Sequence, residues 1–242
     1  MQRAIVFGAT GGIGQAICVE LAQAGWSLYI HCNQNWRIAC EISQRLSHKY
    51  PRQDFIPVKL DFSVENSDLT AFVNTLLPVN AAVFGQGITD YNFVSSQDLN
   101  IIDRIMHINL TTPIKLTGLL EPLLIKNDFS RIVYLGSVYG GDGSAMEAVY
   151  SASKSGISRF AQSYAREVAS ANLTVNVLAP GAVDTSMNAT LAPEALEEVK
   201  GEIPVGRIAE GGDISFWVKN LLDVRSSYLT GQTIYVSGGW LI

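Results

Sequence analysis

Two periods alternate in the apolar positions of this chain. Short β-branched runs at Ala4–Phe7, Ser27–Cys32, Phe55–Leu60, Ala81–Phe84, Arg131–Leu135, Thr174–Leu178 and Thr233–Val236 predict strands. Between them lie stretches with helical spacing: Ile13–Ala24, Arg37–His48, Ser67–Leu77, Leu99–Ile108, Pro113–Lys126, Ser151–Ser170 and Asp213–Leu222. Thr112 ahead of Pro113 predicts a helix N-cap with proline in the first turn. Such alternation calls for a parallel sheet covered on both faces, and right-handed crossovers make it doubly wound. The expected fold class is α/β: a single doubly wound parallel seven-stranded sheet of Rossmann type with helices on both faces, residues 1–242 forming one domain. The one long irregular segment runs from Val183 to Gly206, with a short helix at Pro193–Val199. Its place after a strand's carboxyl end marks it as a substrate lid, with a packed surface excursion as the alternative.

Composition narrows the class. Hydrophobic residues make up 48% and charged residues 16%, enough for a large core and unlike a disordered chain. A net charge of -5 without any Lys/Arg block argues against a nucleic-acid partner. The apolar run after Arg3 is too short for a signal peptide, and no stretch is long enough to span a membrane, so a soluble cytoplasmic protein is expected. Cys18, Cys32 and Cys40 form no CxxC pair and read as free thiols in core positions. His31, His48 and His107 lack ligand spacing, so no metal site is expected. Met146 and Met187 read as pocket lining or gap-filling core, and Trp217 as core.

Two motifs carry chemistry. Gly8-Ala9-Thr10-Gly11-Gly12-Ile13-Gly14 follows the first strand and opens the first helix. Gly8 permits a sharp turn, Gly12 a close approach of backbone to a pyrophosphate, and Gly14 tight helix–strand packing. The helix N-terminus beyond offers N–H groups to an anion. The second motif, Tyr150 and Lys154, sets a phenol and an ammonium on one helix face. A phenol with a pKa near ~10 is a poor acid or base at neutral pH, and a nearby cation favours its ionised form. Ser137 ends the fifth strand, where it can donate to a carbonyl oxygen.

The glycine turn, Asn109, Ser137 and the YxxxK pair, in this order, resemble the short-chain dehydrogenase/reductase family in its compact single-domain branch. The resemblance spans the whole chain and extends to Asp61, to Pro180-Gly181 and to Ser237-Gly238-Gly239. Within the family, the text from Ala165 to Val177 is most similar to 3-oxoacyl-acyl-carrier-protein reductases. It implies a catalytic set of Asn109, Ser137, Tyr150 and Lys154. Tyr150 would be the acid in reduction, Lys154 would hold the nicotinamide ribose and lower the Tyr150 pKa, and Ser137 would orient the carbonyl. Asn109 would position a water that relays protons. Cofactor contacts would come from Gly8, Thr10, Gly12, Ile13, Gly14, Asn33, Arg37, Asp61, Gly87, Tyr150, Lys154, Pro180, Gly181, Val183 and Thr185.

Two departures from the family pattern stand out: Phe7 replaces a threonine, and Phe84-Gly85-Gln86-Gly87 replaces Asn-Asn-Ala-Gly. Phe7 and Phe84 would then sit side by side on neighbouring strands, and Gln86 puts the usual adenosine-ribose contacts in doubt. At the end of strand two, Ile30-His31-Cys32-Asn33-Gln34 holds no acid to grip a ribose 2′-hydroxyl, and Arg37 lies a turn downstream. The expected cofactor is NADP, with NAD possible. The expected partner is a small-molecule carbonyl or acyl-thioester substrate. A small alcohol, sugar or steroid remains the alternative, and a non-catalytic dinucleotide sensor a remote one. Lys126, Arg131 and Arg166 are the basic residues considered for the pocket mouth, where a carrier protein would dock. A homotetramer is expected, with Trp240-Leu241-Ile242 buried between protomers and a fold-back onto its own domain as the alternative.

Overall fold

Seven strands, β1 (Arg3–Phe7), β2 (Ser27–Cys32), β3 (Phe55–Lys59), β4 (Ala81–Phe84), β5 (Ser130–Leu135), β6 (Leu173–Pro180) and β7 (Thr233–Val236), form one sheet in the order β3-β2-β1-β4-β5-β6-β7. Every neighbouring pair is parallel. The structure is a computed structural model and describes residues 2–185 and 193–241. The helices are α1 (Gly12–Gln23), α2 (Trp36–Lys49), α3 (Asn66–Asn74), α4 (Leu99–Met106), α5 (Thr112–Leu124), α6 (Ala148–Val168), α7 (Pro193–Glu202) and α8 (Gly211–Leu222). Alternate residues of β1 enter opposite cores. Ala4 and Val6 pack with α1, α2 and α8, and Ile5 and Phe7 with α3, α5 and α6. The expected sheet, order of elements and two-faced cover are all present. Of the expected lid, residues 186–192 lie outside the described residues, Met187 among them, and the rest includes α7.

The anticipated contact between Phe7 and Phe84 exists and is part of a longer stack. The two rings lie 4.8 Å apart, Phe84 stacks on Tyr134 at 4.8 Å, and Phe7 meets His31 edge-on at 5.1 Å. The Tyr134 hydroxyl is hydrogen-bonded to Thr117 of α5. Four adjacent strands are thereby joined by side chains as well as by the backbone ladder.

Thr112 does not cap a helix. Its backbone is helical (φ -68, ψ -41), its hydroxyl donates to Phe62 O at 2.7 Å, and its N–H reaches His107 O. Helical structure runs on from α4 into α5 through a π turn at His107–Thr111. Pro113 supplies the reason: it has no N–H for the carbonyl of Asn109, four residues back, and its ring crowds that oxygen.

Several side-chain positions also differ from expectation. Trp217 is 44% exposed on α8, so it is not core, and Cys40 is half-buried while Cys18 and Cys32 are fully buried. Trp240 folds back onto its own chain. It packs edge-on against Tyr139 at 5.7 Å and donates from Nε1 to Glu202 Oε2 at 3.0 Å. Among the described residues, no helix is long and apolar enough to cross a membrane.

His31 is buried in β2, and both ring nitrogens are bonded. Nδ1 accepts from Gly8 N–H at 3.1 Å and Nε2–H donates to Leu60 O at 3.0 Å. This arrangement fixes one neutral tautomer, and burial pulls the pKa down to about 4. The unfolded chain takes up a proton near pH ~6.5, which the folded chain refuses until near pH 4. The stability this gives is complete above pH ~6.5 and falls as the pH drops through that window. Urea unfolding across the range should show wild type losing up to about 3 kcal/mol more than His31→Gln between pH ~6.5 and 4. Equal pH slopes for the two proteins would refute this account.

Candidate active site

The strand order reverses between β1 and β4, which opens a crevice beyond their carboxyl ends. The glycine turn fills one side of it. Gly8 has φ +72, and a Cβ there would lie 2.7 Å from Gln86 N, so the loops after β1 and β4 touch backbone to backbone. A Cβ on Gly14 would run into the carbonyl oxygen of Gly8. Gly11 is the N-cap of α1, and no side chain caps the first-turn N–H groups of the helix. Ile13 is half-buried against the core, and the Thr10 carbonyl accepts from Gln15 Nε2 at 3.0 Å. A side-chain-free cradle at an uncapped helix N-terminus fits the pyrophosphate of a dinucleotide.

Other predicted residues gather around this cradle. Pro180 ends β6, and Gly181 N–H bonds to Val236 O at 3.1 Å. Val183 bridges to Ala209, which brings Thr185 over the turn, its Cγ2 2.9 Å from where a Cβ on Gly12 would lie. Gly12 is therefore closed in by Thr185 as well as open to a ligand. Asp61 accepts from Ser63 N–H at 2.9 Å and from its hydroxyl at 2.6 Å. Those bonds, with help from Asn33, hold its pKa below the usual carboxylate value. Asn33 and Asp61 are thus brought together at the ends of β2 and β3. Arg37 stands apart, its side chain 90% exposed on the first turn of α2 and paired with Glu41 at 2.9 Å.

The reactive side chains lie on the other side of the crevice. Ser137 follows β5, and its Oγ accepts from Tyr139 N–H at 3.2 Å. The same hydroxyl is bonded to Tyr150. Burial pushes the Tyr150 phenol up to about 12, with the Ser137 bond opposing it and the charge of Glu147 adding to it. Lys154 is buried, donates from Nζ to Leu135 O at 2.8 Å, and lies with its Nζ 5.6 Å from the Tyr150 ring centre. Burial pulls its own pKa down to about 8. The lowering of the phenol pKa expected from Lys154 is not seen: burial and the charge of Glu147 push it up, and Ser137 is the group that opposes them.

Asn109 sits in the π turn with its amide nitrogen and oxygen both engaged. Its Oδ1 accepts from Ile88 N–H at 2.9 Å, and its Nδ2 donates to Ile88 O at 2.8 Å and to Ser153 Oγ at 3.1 Å. It clamps the chain after β4 so that Gly87 passes beside Lys154, where a Cβ would be 3.3 Å from Nζ. The sequence reading missed the neighbours Tyr139 and Glu147, and it missed the support that His31 gives the glycine turn. A polar residue inside an otherwise apolar strand was a legible sign for His31, and the spacings from Ser137 and Tyr150 were signs for the other two. Met146, read as pocket lining or core, is half-buried and makes the turn into α6 with φ 64. Among the described residues, no cluster of His, Cys, Asp or Glu is able to hold a metal ion.

The chain matches the short chain dehydrogenase family over residues 2–196. It is 33% identical over 237 residues to YmfI, an uncharacterised oxidoreductase of Bacillus subtilis, covering 98% of both chains. It is 34% identical over 236 residues to the 3-oxoacyl-[acyl-carrier-protein] reductase FabG of Haemophilus influenzae, covering 98% of this chain and 96% of that one. A crystal structure of a 3-oxoacyl-[acyl-carrier protein] reductase from Brucella melitensis has a TM-score of 0.92 at 26% identity, covering 100% of this chain and 91% of its own. A gluconate 5-dehydrogenase candidate from Beutenbergia cavernae, with NADP bound at low occupancy, also scores 0.92, at 27% identity and 99% and 96% coverage. The shared sheet, the match along most of the chain and the identity to named reductases lead to one conclusion: the chain belongs to the short-chain dehydrogenase/reductase family of nicotinamide-dependent oxidoreductases.

Proposed function

We propose that the protein is an NADP(H)-dependent reductase of a small-molecule carbonyl, using Tyr150 as proton donor. The observation that carries this reading is the convergence of Ser137, Tyr150 and Lys154 at the carboxyl end of β5, beside Gly87 and across from the glycine cradle. The nicotinamide, when bound, supplies or accepts the hydride. Tyr150 gives its hydroxyl proton to the substrate oxygen in reduction and takes it back in oxidation. Ser137, steadied by Tyr139 N–H, hydrogen-bonds that oxygen as negative charge grows on it. Lys154 puts its cation near the phenol and returns the proton to it. The side chain of Asn109 is spent on Ile88 and Ser153, so the water-holding role falls to its carbonyl, to which Pro113 has no N–H to offer.

The preference for NADP rests on the end of β2, where Asn33 stands in place of an acid and the exposed Arg37 is one turn away. The NADP bound to the Beutenbergia cavernae protein is in keeping with it. The acyl-thioester alternative draws support from the 3-oxoacyl reductases among the relatives. A carrier protein, however, finds little purchase. Arg131 is buried at the start of β5, donating to the carbonyl oxygens of Ser130 and Val224. Lys126 lies just before that same amino edge, and Arg166 is about 24 Å down α6 from Tyr150 at ~1.5 Å per residue. None of the three is at the pocket mouth. The reading also includes a small-molecule lid formed by 183–206 and a homotetramer, for which the exposed Phe216 and Trp217 on α8, Tyr228 ahead of β7 and Tyr235 on it offer apolar surface. Light scattering tests the assembly, and a monodisperse monomer would refute it.

Three measurements test the chemistry. Tyr150→Phe should lower kcat by about 10²–10⁴-fold and leave the nucleotide Kd within a few-fold; near-wild-type kcat would sink the mechanism. Lys154→Met removes a charge that burial disfavours, so it should lose turnover while holding or raising stability, by up to about 3 kcal/mol, in denaturant melts. A marked loss of stability would contradict the burial argument. Finally, kcat/KM should be higher with NADPH than with NADH on a carrier-free ketone, and a clear NADH preference would overturn the cofactor assignment.

A further inference from the structure

The mechanism above makes no use of a charge at the start of α6. Glu147 lies just ahead of that helix, three positions before Tyr150, and its Oε1 accepts from Thr89 Oγ1 at 2.7 Å. Thr89 belongs to the segment after β4 that Asn109 clamps at Ile88 and that passes Lys154 at Gly87. A second tie joins the same two segments, from Asn92 N–H to Met146 O at 2.8 Å. The carboxylate is therefore held in the wall of the site and is half-buried there. Both phenols nearby register its charge, since it raises the pKa of Tyr150 and of Tyr139.

The rest of this wall has the same character. Tyr139, two residues past Ser137, meets Trp240 edge-on, and the indole N–H of Trp240 is bonded to Glu202. The charge of Glu202 also acts on Tyr139. The cation of the site, Lys154, is turned inward to Leu135 O. A substrate entering here meets aromatic faces and carboxylates, a surface suited to hydroxyl and ammonium groups and hostile to anions.

Building on the reductase reading, we propose that Glu147 is a specificity-determining residue that favours ketones bearing a hydrogen-bond donor, hydroxyl or ammonium, and turns away those bearing a carboxylate. Thr89 holds one oxygen of Glu147, and an ionised carboxylate only accepts, so the group it faces must donate. A second carboxylate placed there would bring two like charges together in a partly desolvated wall.

The test uses four probes with NADPH: cyclohexanone and its 4-hydroxymethyl, 4-aminomethyl and 4-carboxylate derivatives. Wild type should give kcat/KM at least tenfold higher for each of the two donor-bearing ketones than for the carboxylate. In Glu147→Gln that ratio should shrink by about tenfold, chiefly through a lower KM for the carboxylate. The amide keeps an acceptor for Thr89, and an unchanged melting temperature would show the wall intact. A second variant, Thr89→Val, frees the carboxylate from its tether and should shrink the ratio part of the way. Wild type that reduces cyclohexanone but shows the same ratio as Glu147→Gln would overturn the role of Glu147 and leave the reductase reading standing. Wild type that reduces none of the four would fail the reductase reading and this inference together.

Discussion

Where β1 and β4 end, two backbones approach as closely as backbones can. Gly8 and the Gly85–Gln86 peptide occupy space that any side chain would claim, and the stacked rings of Phe7 and Phe84 lie directly beneath. The rest of the reactive edge is referred to this contact. The glycine cradle is fixed on one side by His31, and the segment leading to Gly87 and Ile88 leaves on the other. Asn109 takes hold of that segment, and Lys154 comes to rest against it. Apolar stacking joins the two strands at this point, one layer below the backbone contact.

The site places two groups where their charged forms are disfavoured. Lys154 is buried with a carbonyl partner and, among the described residues, no carboxylate bonded to it, and Tyr150 is pushed away from ionising. Neither arrangement helps the fold. Both make the proton of the phenol sensitive to whatever charge enters the crevice, since desolvated groups respond to a neighbour more strongly than solvated ones. The neutral His31 beneath the glycine turn has the opposite character: it is satisfied at both nitrogens and resists change. Rigid support lies under the cradle, and a responsive pair lies across from it.

Much of this was legible in the sequence, because it depended on periodicity and on short spacing. Short apolar runs alternating with helical stripes along the chain announced the sheet and its two-sided cover, and Tyr150 with Lys154 needed only one helical turn to meet. What escaped depended on contacts between distant segments. Thr112 has every local mark of an N-cap, yet its hydroxyl is claimed by Phe62 and the helix runs through it. Pro113 was read as a helix start, while its missing N–H shapes the π turn that carries Asn109. Arg131 looked like a surface cation because arginine usually is one, and backbone carbonyls of remote loops bury it. Trp240 was correctly seen as too apolar for a frayed end, but nothing local names Tyr139 and Glu202 as its cover.

That cover sets an order of assembly. The cradle, the ends of β2 and β3, and the clamp at Ile88 are drawn from residues that leave the ribosome early. The aromatic wall opposite needs Trp240, which is made long after Tyr139, so its closing contact spans a wide stretch of chain and forms late. A nascent chain can thus shape the glycine turn and the clamp at Ile88 while the aromatic wall opposite is still open.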